Sequence, residues 1–198
     1  MEATLAKLER PRLNAADWEA AALELIAELG VVAVAVEPLA KRLGVTKGSF
    51  YWHFPTREAL LASALKRWSE DAAGDVLARV ADVVDPAERL RMLFRITSRT
   101  MRLHKIYSAL IKSVDHPVVA PLIEKLSEER LNLLTQLFTD AGMQATAAKH
   151  RARLAFSAYV GFLQLMLQLK LPRLSSDEFD AYIEHMIATL IPGSAAND

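Results

Sequence analysis

Apolar residues recur every three or four positions along nearly the whole chain, and proline or glycine cuts the pattern at intervals that suit single helices. That periodicity confines the chain to an all-α fold of about nine helices. Ala22, Leu25, Ile26 and Leu29 share one helical face; Asn14 can cap that helix, and Gly30 permits a left-handed exit. The valine-rich residues 31–36 could form a short strand, but their helical neighbours favour a connector. Glu37-Pro38 suits the start of a second helix running to about Leu43. Gly44 breaks it, the Thr46 hydroxyl is placed to cap a short third helix ending before Pro55, and Thr56 caps a longer fourth carrying Leu60, Leu61, Leu65 and Trp68. Asp85-Pro86 opens a fifth, with Leu90, Leu93, Phe94, Thr97 and Met101 inward and Arg91, Arg95, Arg99 and Arg102 opposite. Residues 103–114, 118–141, 146–171 and 176–191 read as further helices, with breaks at Pro117, Gly142, Pro172 and Pro192-Gly193. Ser175, Ser176 and Glu178 form a capping-box-like start to the last of them.

Composition narrows the function classes. The 198 residues are 52% hydrophobic and 24% charged, which is globular, and 24 basic against 24 acidic side chains leave no net charge. A wholly electrostatic, histone-like nucleic-acid binder is thereby excluded, and any basic patch must be local. Cysteine is absent, which removes disulfides, thiolate zinc sites and thiol nucleophiles and suits a reducing cytoplasm. The stretch from Met1 to Arg12 is charged throughout and does not read as a signal peptide. The most apolar run, residues 154–169, contains Ser157, Gln164 and Gln168 and falls short of the ~20 apolar residues a bilayer requires, so it is expected to be a buried helix without a membrane partner. None of His53, His104, His116, His150 and His185 has a second histidine or an acid three or four residues away, so no metal site is expected. Neither a glycine-rich phosphate loop nor a close carboxylate cluster suggests an enzyme or a cofactor.

The informative segment runs from Glu37 to Phe54: two short helices joined at Gly44, with Leu39, Leu43, Val45 and Phe50 as a small core and Ala40 where the helices approach. This is helix-turn-helix geometry. Lys47, Ser49, Trp52 and His53 are left outward, and Gly48 permits close approach to a phosphate or base edge. Between Lys41 and Arg67 stand six basic residues and one acid, a patch the neutral whole conceals, with the balancing acids mainly on the first helix. Tyr51 and Trp52 are adjacent on a short helix and cannot face the same way, so one is expected partly buried and one exposed.

The run Val36-Glu37-Pro38-Leu39-Ala40-Lys41-Arg42-Leu43-Gly44-Val45-Thr46-Lys47-Gly48-Ser49-Phe50-Tyr51-Trp52-His53-Phe54, followed by Arg57-Glu58-Ala59-Leu60-Leu61, resembles the TetR family of transcriptional regulators over about residues 15–65. The resemblance implies a DNA-binding domain over residues 1–56, and a ligand-binding and dimerisation domain over residues 57–198. It assigns DNA contact to Thr46, Lys47, Gly48, Ser49, Tyr51, Trp52 and His53, with Tyr51 and His53 mostly on phosphate, and retains at Arg57 the charge that family carries as lysine. Ala35 departs from it, standing where the family often has a serine or threonine that caps the second helix and donates to a phosphate.

The expected function is a ligand-responsive regulator, most plainly a repressor, binding a palindromic double-stranded operator as a homodimer and released by a hydrophobic or amphipathic small molecule. The alternatives are a helical small-molecule-binding protein or enzyme with a vestigial DNA-binding motif, or an activator or architectural protein of the same fold. Met101, His104, Tyr107, Tyr159 and Phe162 are the candidate ligand-lining residues; His104 and Tyr107, one turn apart, read equally as a satisfied interior pair. The arginine row from Arg91 to Arg102 reads as a solvated face rather than an anion site. The last helix carries Phe179, Tyr182, Ile183, Met186, Ile187, Leu190 and Ile191 on one wide face, and the helix before it is apolar nearly all round. Phe156, Val160, Gly161, Leu167, Phe179, Ile183, Met186, Ile187 and Leu190 are therefore the candidate dimer interface, arranged as a four-helix bundle between two chains.

Overall fold

The computed structural model describes residues 13–171 and 174–191, and every regular element among them is helical. In chain order these are α1 (Ala15–Leu29), α2 (Val36–Leu43), α3 (Lys47–Tyr51), α4 (Arg57–Val80), α5 (Pro86–Ser98), α6 (Met101–Lys112), α7 (Ala120–Asp140), α8 (Ala145–Gln164) and α9 (Ser176–Leu190). The valine-rich run is a connector holding one 3-10 turn, Val31–Ala33, and α8 runs on into a π turn, Leu165–Leu169. The expected features at Met1 to Arg12, Pro172 and Pro192-Gly193 lie outside the described residues.

Local chemistry starts most of the helices. Asn14 and Asp17 form a reciprocal capping box on α1, as Ser175 and Glu178 do on α9. Thr56 accepts from the Ala59 N–H at 3.0 Å, and Asp85 accepts from Ala87 and Glu88 ahead of a first-turn proline. Thr46 departs from expectation: it occupies the cap position of α3, but its hydroxyl makes no capping bond, and the Ser49 N–H turns to the Thr46 backbone carbonyl. Leu29, in register with the apolar face of α1, is exposed because the chain leaves that face at Gly30.

α5 stops three residues earlier than its apolar spacing suggests. The hydroxyls of Thr97, Ser98 and Thr100 donate to carbonyls three or four residues back, Leu93, Arg95 and Ile96, and this competition with the helical ladder accompanies its end. Met101 consequently opens α6 and is exposed rather than inward.

Two apolar cores hold the fold. The first joins Trp18, Leu25 and Ile26 of α1, Leu39, Phe50 and Phe54 with Leu60, Leu61 and Leu65 of α4, and continues into Ile106, Tyr107 and Leu110 of α6 and Leu163 of α8. No packing break accompanies the chain's passage from residue 56 to 57. The second gathers Leu90, Leu93 and Phe94 with Phe138, and adds Ile183, Ile187 and Leu190 of α9. Ala148, Ala152 and Ala155 belong to that core, and their small side chains let α8 lie close on α7.

The outer side of α8 is not buried, contrary to expectation. Only Ala148, Ala152, Ala155 and Leu163 are buried in it, because its neighbours α6, α7 and α9 leave its outer side uncovered. The continuous run Ala145–Leu169 is 25 residues long and its most apolar 18-residue window has mean hydropathy 1.2, so by length and composition it reaches membrane-spanning size, longer than the sequence estimate. Only 17% of that apolar window is buried inside the chain.

The arginine row is a largely solvated face, as expected, and each of its members also pairs with an acid. Arg95 grips Glu184 of α9 with two bonds of 2.7 and 2.8 Å, Arg99 meets Asp180 at 3.1 Å, and Arg91 meets Glu88 at 3.0 Å. Arg102 reaches Glu24 of α1 at 2.7 Å. For Arg95, Arg99 and Arg102 the acids come from distant helices, invisible to local periodicity, and make straps between elements.

Candidate functional site

Phe50 sets the direction of α3. It is fully buried, edge-on to Trp18 at 5.3 Å between ring centroids and 5.9 Å from Phe54, which anchors one side of a helix only five residues long. Gly44 supplies the turn in the left-handed conformation, φ 69°, and the Val45 N–H closes on the Ala40 carbonyl at 3.0 Å. With Phe50 inward, Thr46, Lys47, Gly48, Tyr51 and Trp52 must face out, and all five are exposed; Ser49 and His53 are half-buried.

Tyr51 and Trp52 are both exposed, at 63% and 88%, where one was expected to be partly buried. The helix ends at Tyr51, so Trp52 escapes the helical geometry that would have turned it toward the core. Two large aromatic side chains in water beside a lysine form a surface that offers stacking and phosphate contacts. Lys47 pairs with Glu37 at 2.9 Å and Arg42 with Glu28 at 2.6 Å, so part of the basic patch is neutralised internally instead of segregated from acids. Both pairs are surface-exposed and therefore weak enough to exchange for phosphate.

Arg57 points elsewhere. Its Nε donates to the Val34 carbonyl and its Nη2 to the Val31 carbonyl at 3.1 Å, while Nη1 meets Glu58 at 3.2 Å. The guanidinium thus ties the 31–36 connector to the first turn of α4, giving the Val34 carbonyl a donor and the Val31 carbonyl a second one besides the Val34 N–H.

Behind this domain, α4 to α9 enclose a cavity of about 530 Å³ with a mainly apolar lining. His104, Tyr107, Tyr159 and Phe162 line it, as the sequence suggested; exposed Met101 does not. Phe156, Phe179, Ile183 and Met186, candidates for the dimer interface, line the cavity as well, and Ile187 and Leu190 lie in the second core. Val160 and Leu167 pack against the first core. Of that candidate set, Gly161 stands outward, and a Cβ built on it would meet nothing within 4 Å. The wide apolar face of α9 is inward because α5 and the cavity lie beneath it.

Inside the cavity, Phe162 stacks on Tyr182 at 4.7 Å, and Tyr159 packs edge-on to His104 at 5.6 Å. Burial pushes the Tyr159 hydroxyl up to about 12. His104 is held below its ordinary value by burial, against the Thr97 hydrogen bond and with the help of the Arg130 charge. Its Nε2 lies 2.6 Å from the Thr97 carbonyl, which can only accept, so the neutral ring carries its proton on Nε2.

Arg130 escaped the sequence reading. It sits on the buried side of α7 in register with Ile123, Leu126, Leu133 and Leu137, and an arginine on an apolar stripe was the available signal. Its guanidinium lies over the Tyr107 ring, 4.3 Å from the centroid. Trp68 also lines the cavity, from the long α4.

Residues 20–64 match the model of bacterial regulatory proteins of the tetR family, over the helices whose exposed face has just been described. That segment carries a TetR-type helix-turn-helix. An HTH-type transcriptional regulator of Mycobacterium tuberculosis is 25% identical over 177 residues, 89% of this chain and 85% of that protein. A transcriptional regulator from Saccharomonospora viridis, solved in complex with choline, superposes with a TM-score of 0.78 at 19% identity, covering 89% of this chain and 96% of that one. The regulator FadR from Bacillus subtilis, solved with stearoyl-CoA, gives 0.67 at 18% identity, covering 90% and 98%. The chain therefore shares its fold, over 89% and 90% of its length, with these two solved transcriptional regulators.

Proposed function

We propose that this protein is a homodimeric repressor that holds a palindromic operator through α3 and lets go when a small molecule fills the cavity. One observation carries the reading: α6 is a wall shared by the two sites. His104 and Tyr107 of α6 line the cavity, while Ile106 and Leu110 belong to the core built on α1, and Arg102 is paired with Glu24 of α1. A ligand that displaces α6 therefore moves the platform of α3. Two recognition helices must sit ~34–36 Å apart, or a multiple of it, to dock on half-sites, so a small rotation in each protomer weakens binding. That related structures were solved with choline and with stearoyl-CoA supports a small-molecule ligand for this chain.

The second copy is assigned to the outer side of α8. Leu154, Ser157, Gly161 and Leu165 follow one another along that exposed side, with Gly161 free of close neighbours in its own chain. Small and apolar residues there suit close contact between helices, and the DNA target places the protein in the cytoplasm.

A mobility-shift titration with the DNA upstream of the gene tests the reading. Wild-type protein is expected to bind it in dimer steps, and Lys47→Ala to bind at least about tenfold more weakly from loss of a phosphate contact. Equal binding by Lys47→Ala at physiological salt would show that α3 is not the recognition helix. Loss of expression of the downstream gene on deletion would show an activator instead.

A further inference from the structure

Among the described residues, the cavity wall holds one arginine, Arg130, that pairs with no carboxylate. Arg42, Arg67, Arg91, Arg95, Arg99 and Arg102 each meet a carboxylate, whereas no carboxylate among the described residues pairs with Arg130. The acid of the cavity wall, Glu129, is exposed and lies 3.7 Å from Lys125. Arg130 Nη1 is buried and has no hydrogen-bond partner among the described residues, which is costly for a guanidinium.

Three other polar atoms of the same wall share that condition: the Tyr107 hydroxyl, Trp68 Nε1 and His104 Nδ1. Tyr107 and His104 are 1% and 2% exposed, so bulk water does not satisfy them. Tyrosine and indole offer donors; His104 Nδ1, with the proton on Nε2, is an acceptor. Around them the wall is aromatic and aliphatic, including Phe94, Phe162 and Tyr182.

A positive charge with two neutral donors in an apolar chamber complements one compact anionic head on an apolar body. It disfavours a quaternary ammonium, because Arg130 already covers the Tyr107 face that such a cation would use. We propose that the effector is an amphiphilic organic monoanion, a carboxylic acid whose carboxylate pairs with Arg130 and whose apolar body lies among Phe94, Phe162 and Tyr182. This rests on the reading of the cavity as the effector site.

Calorimetry of the full chain with decanoate, decanamide and decyltrimethylammonium, below their micellar concentrations, separates the charge requirement from the apolar one. Decanoate is expected to bind at least about tenfold more tightly than decanamide, as an ion pair with the guanidinium replaces a hydrogen bond from it to a neutral carbonyl, with the ammonium weakest. Arg130→Met should erase the preference for decanoate over decanamide, and Arg130→Lys should restore much of it. The wild-type comparison stands even if a variant fails to fold. Decanamide or the ammonium binding as tightly as decanoate overturns the charge assignment and leaves the effector cavity in place. No binding by any of the three overturns both the acid and the cavity's effector role.

Discussion

The guanidinium of Arg102 on α6 lies 2.7 Å from the carboxylate of Glu24 on α1, a strap between the helix that lines the cavity and the helix that carries the DNA-binding core. Both side chains are about half exposed, so the pair contributes about 1 kcal/mol at most to stability. Arg102→Ala or Glu24→Ala should therefore leave urea unfolding within about 1 kcal/mol of wild type. A coupling role would show instead as a smaller loss of operator affinity on saturation with effector, and the double variant should add no further loss. An additive double variant would separate the two residues.

Replacing Lys47, Tyr51 or Trp52 by alanine should weaken operator DNA and leave thermal unfolding unchanged, since all three are exposed. Arg57→Ala should do the reverse in the first instance. Removing the donor to the Val31 and Val34 carbonyls is expected to cost about 1–3 kcal/mol of folding stability by denaturant titration. An Arg57→Ala protein of undiminished stability that fails to bind DNA would return this arginine to the DNA surface.

Charge placed on the last two helices should have opposite outcomes according to face. Ile187 is 3% exposed inside a single chain, so Ile187→Glu should unfold the protomer, seen as loss of cooperative melting. Gly161→Glu, on the open side of α8, should leave the protomer folded and shift sedimentation from dimer to monomer. A dimeric Gly161→Glu protein would place the second copy elsewhere.

His104 makes stability depend on pH. Its folded pKa lies below the ordinary 6.5, so the unfolded chain takes the proton first, and stability is fully present above about pH 6.5 and falls as pH drops below it. His104→Phe should flatten that part of the stability profile measured by urea titration between pH 7.5 and 5.5. An unchanged slope would mean that His104 titrates alike in both states.

Local signals carried much of this protein without tertiary help. Asn14, Thr56, Asp85 and Ser175 start helices through bonds to N–H groups two or three residues away, and Gly44 ends one through its own backbone. Interactions of such short range are written in consecutive residues. The outward set on α3 was legible for the same reason, because one buried residue, Phe50, fixes the facing of a five-residue helix. His104 and Tyr107 could be paired from their one-turn spacing, but not assigned between core and cavity.

Tertiary structure decided whatever depends on which helix faces which. The apolar stripe of α9 fits a partner chain or the protein's own α5 equally well on paper, and packing turned Ile183, Ile187 and Leu190 inward. Arg57 and the row from Arg91 to Arg102 found carbonyls and carboxylates as far as 89 residues away in sequence, which no periodicity reports. Arg130 shows the limit most clearly. Its register on α7 belongs to the sequence, yet that its charge faces aromatic rings and no acid among the described residues follows only from bringing α4, α6 and α8 around it, since the cost of a buried charge is set by every group that surrounds it.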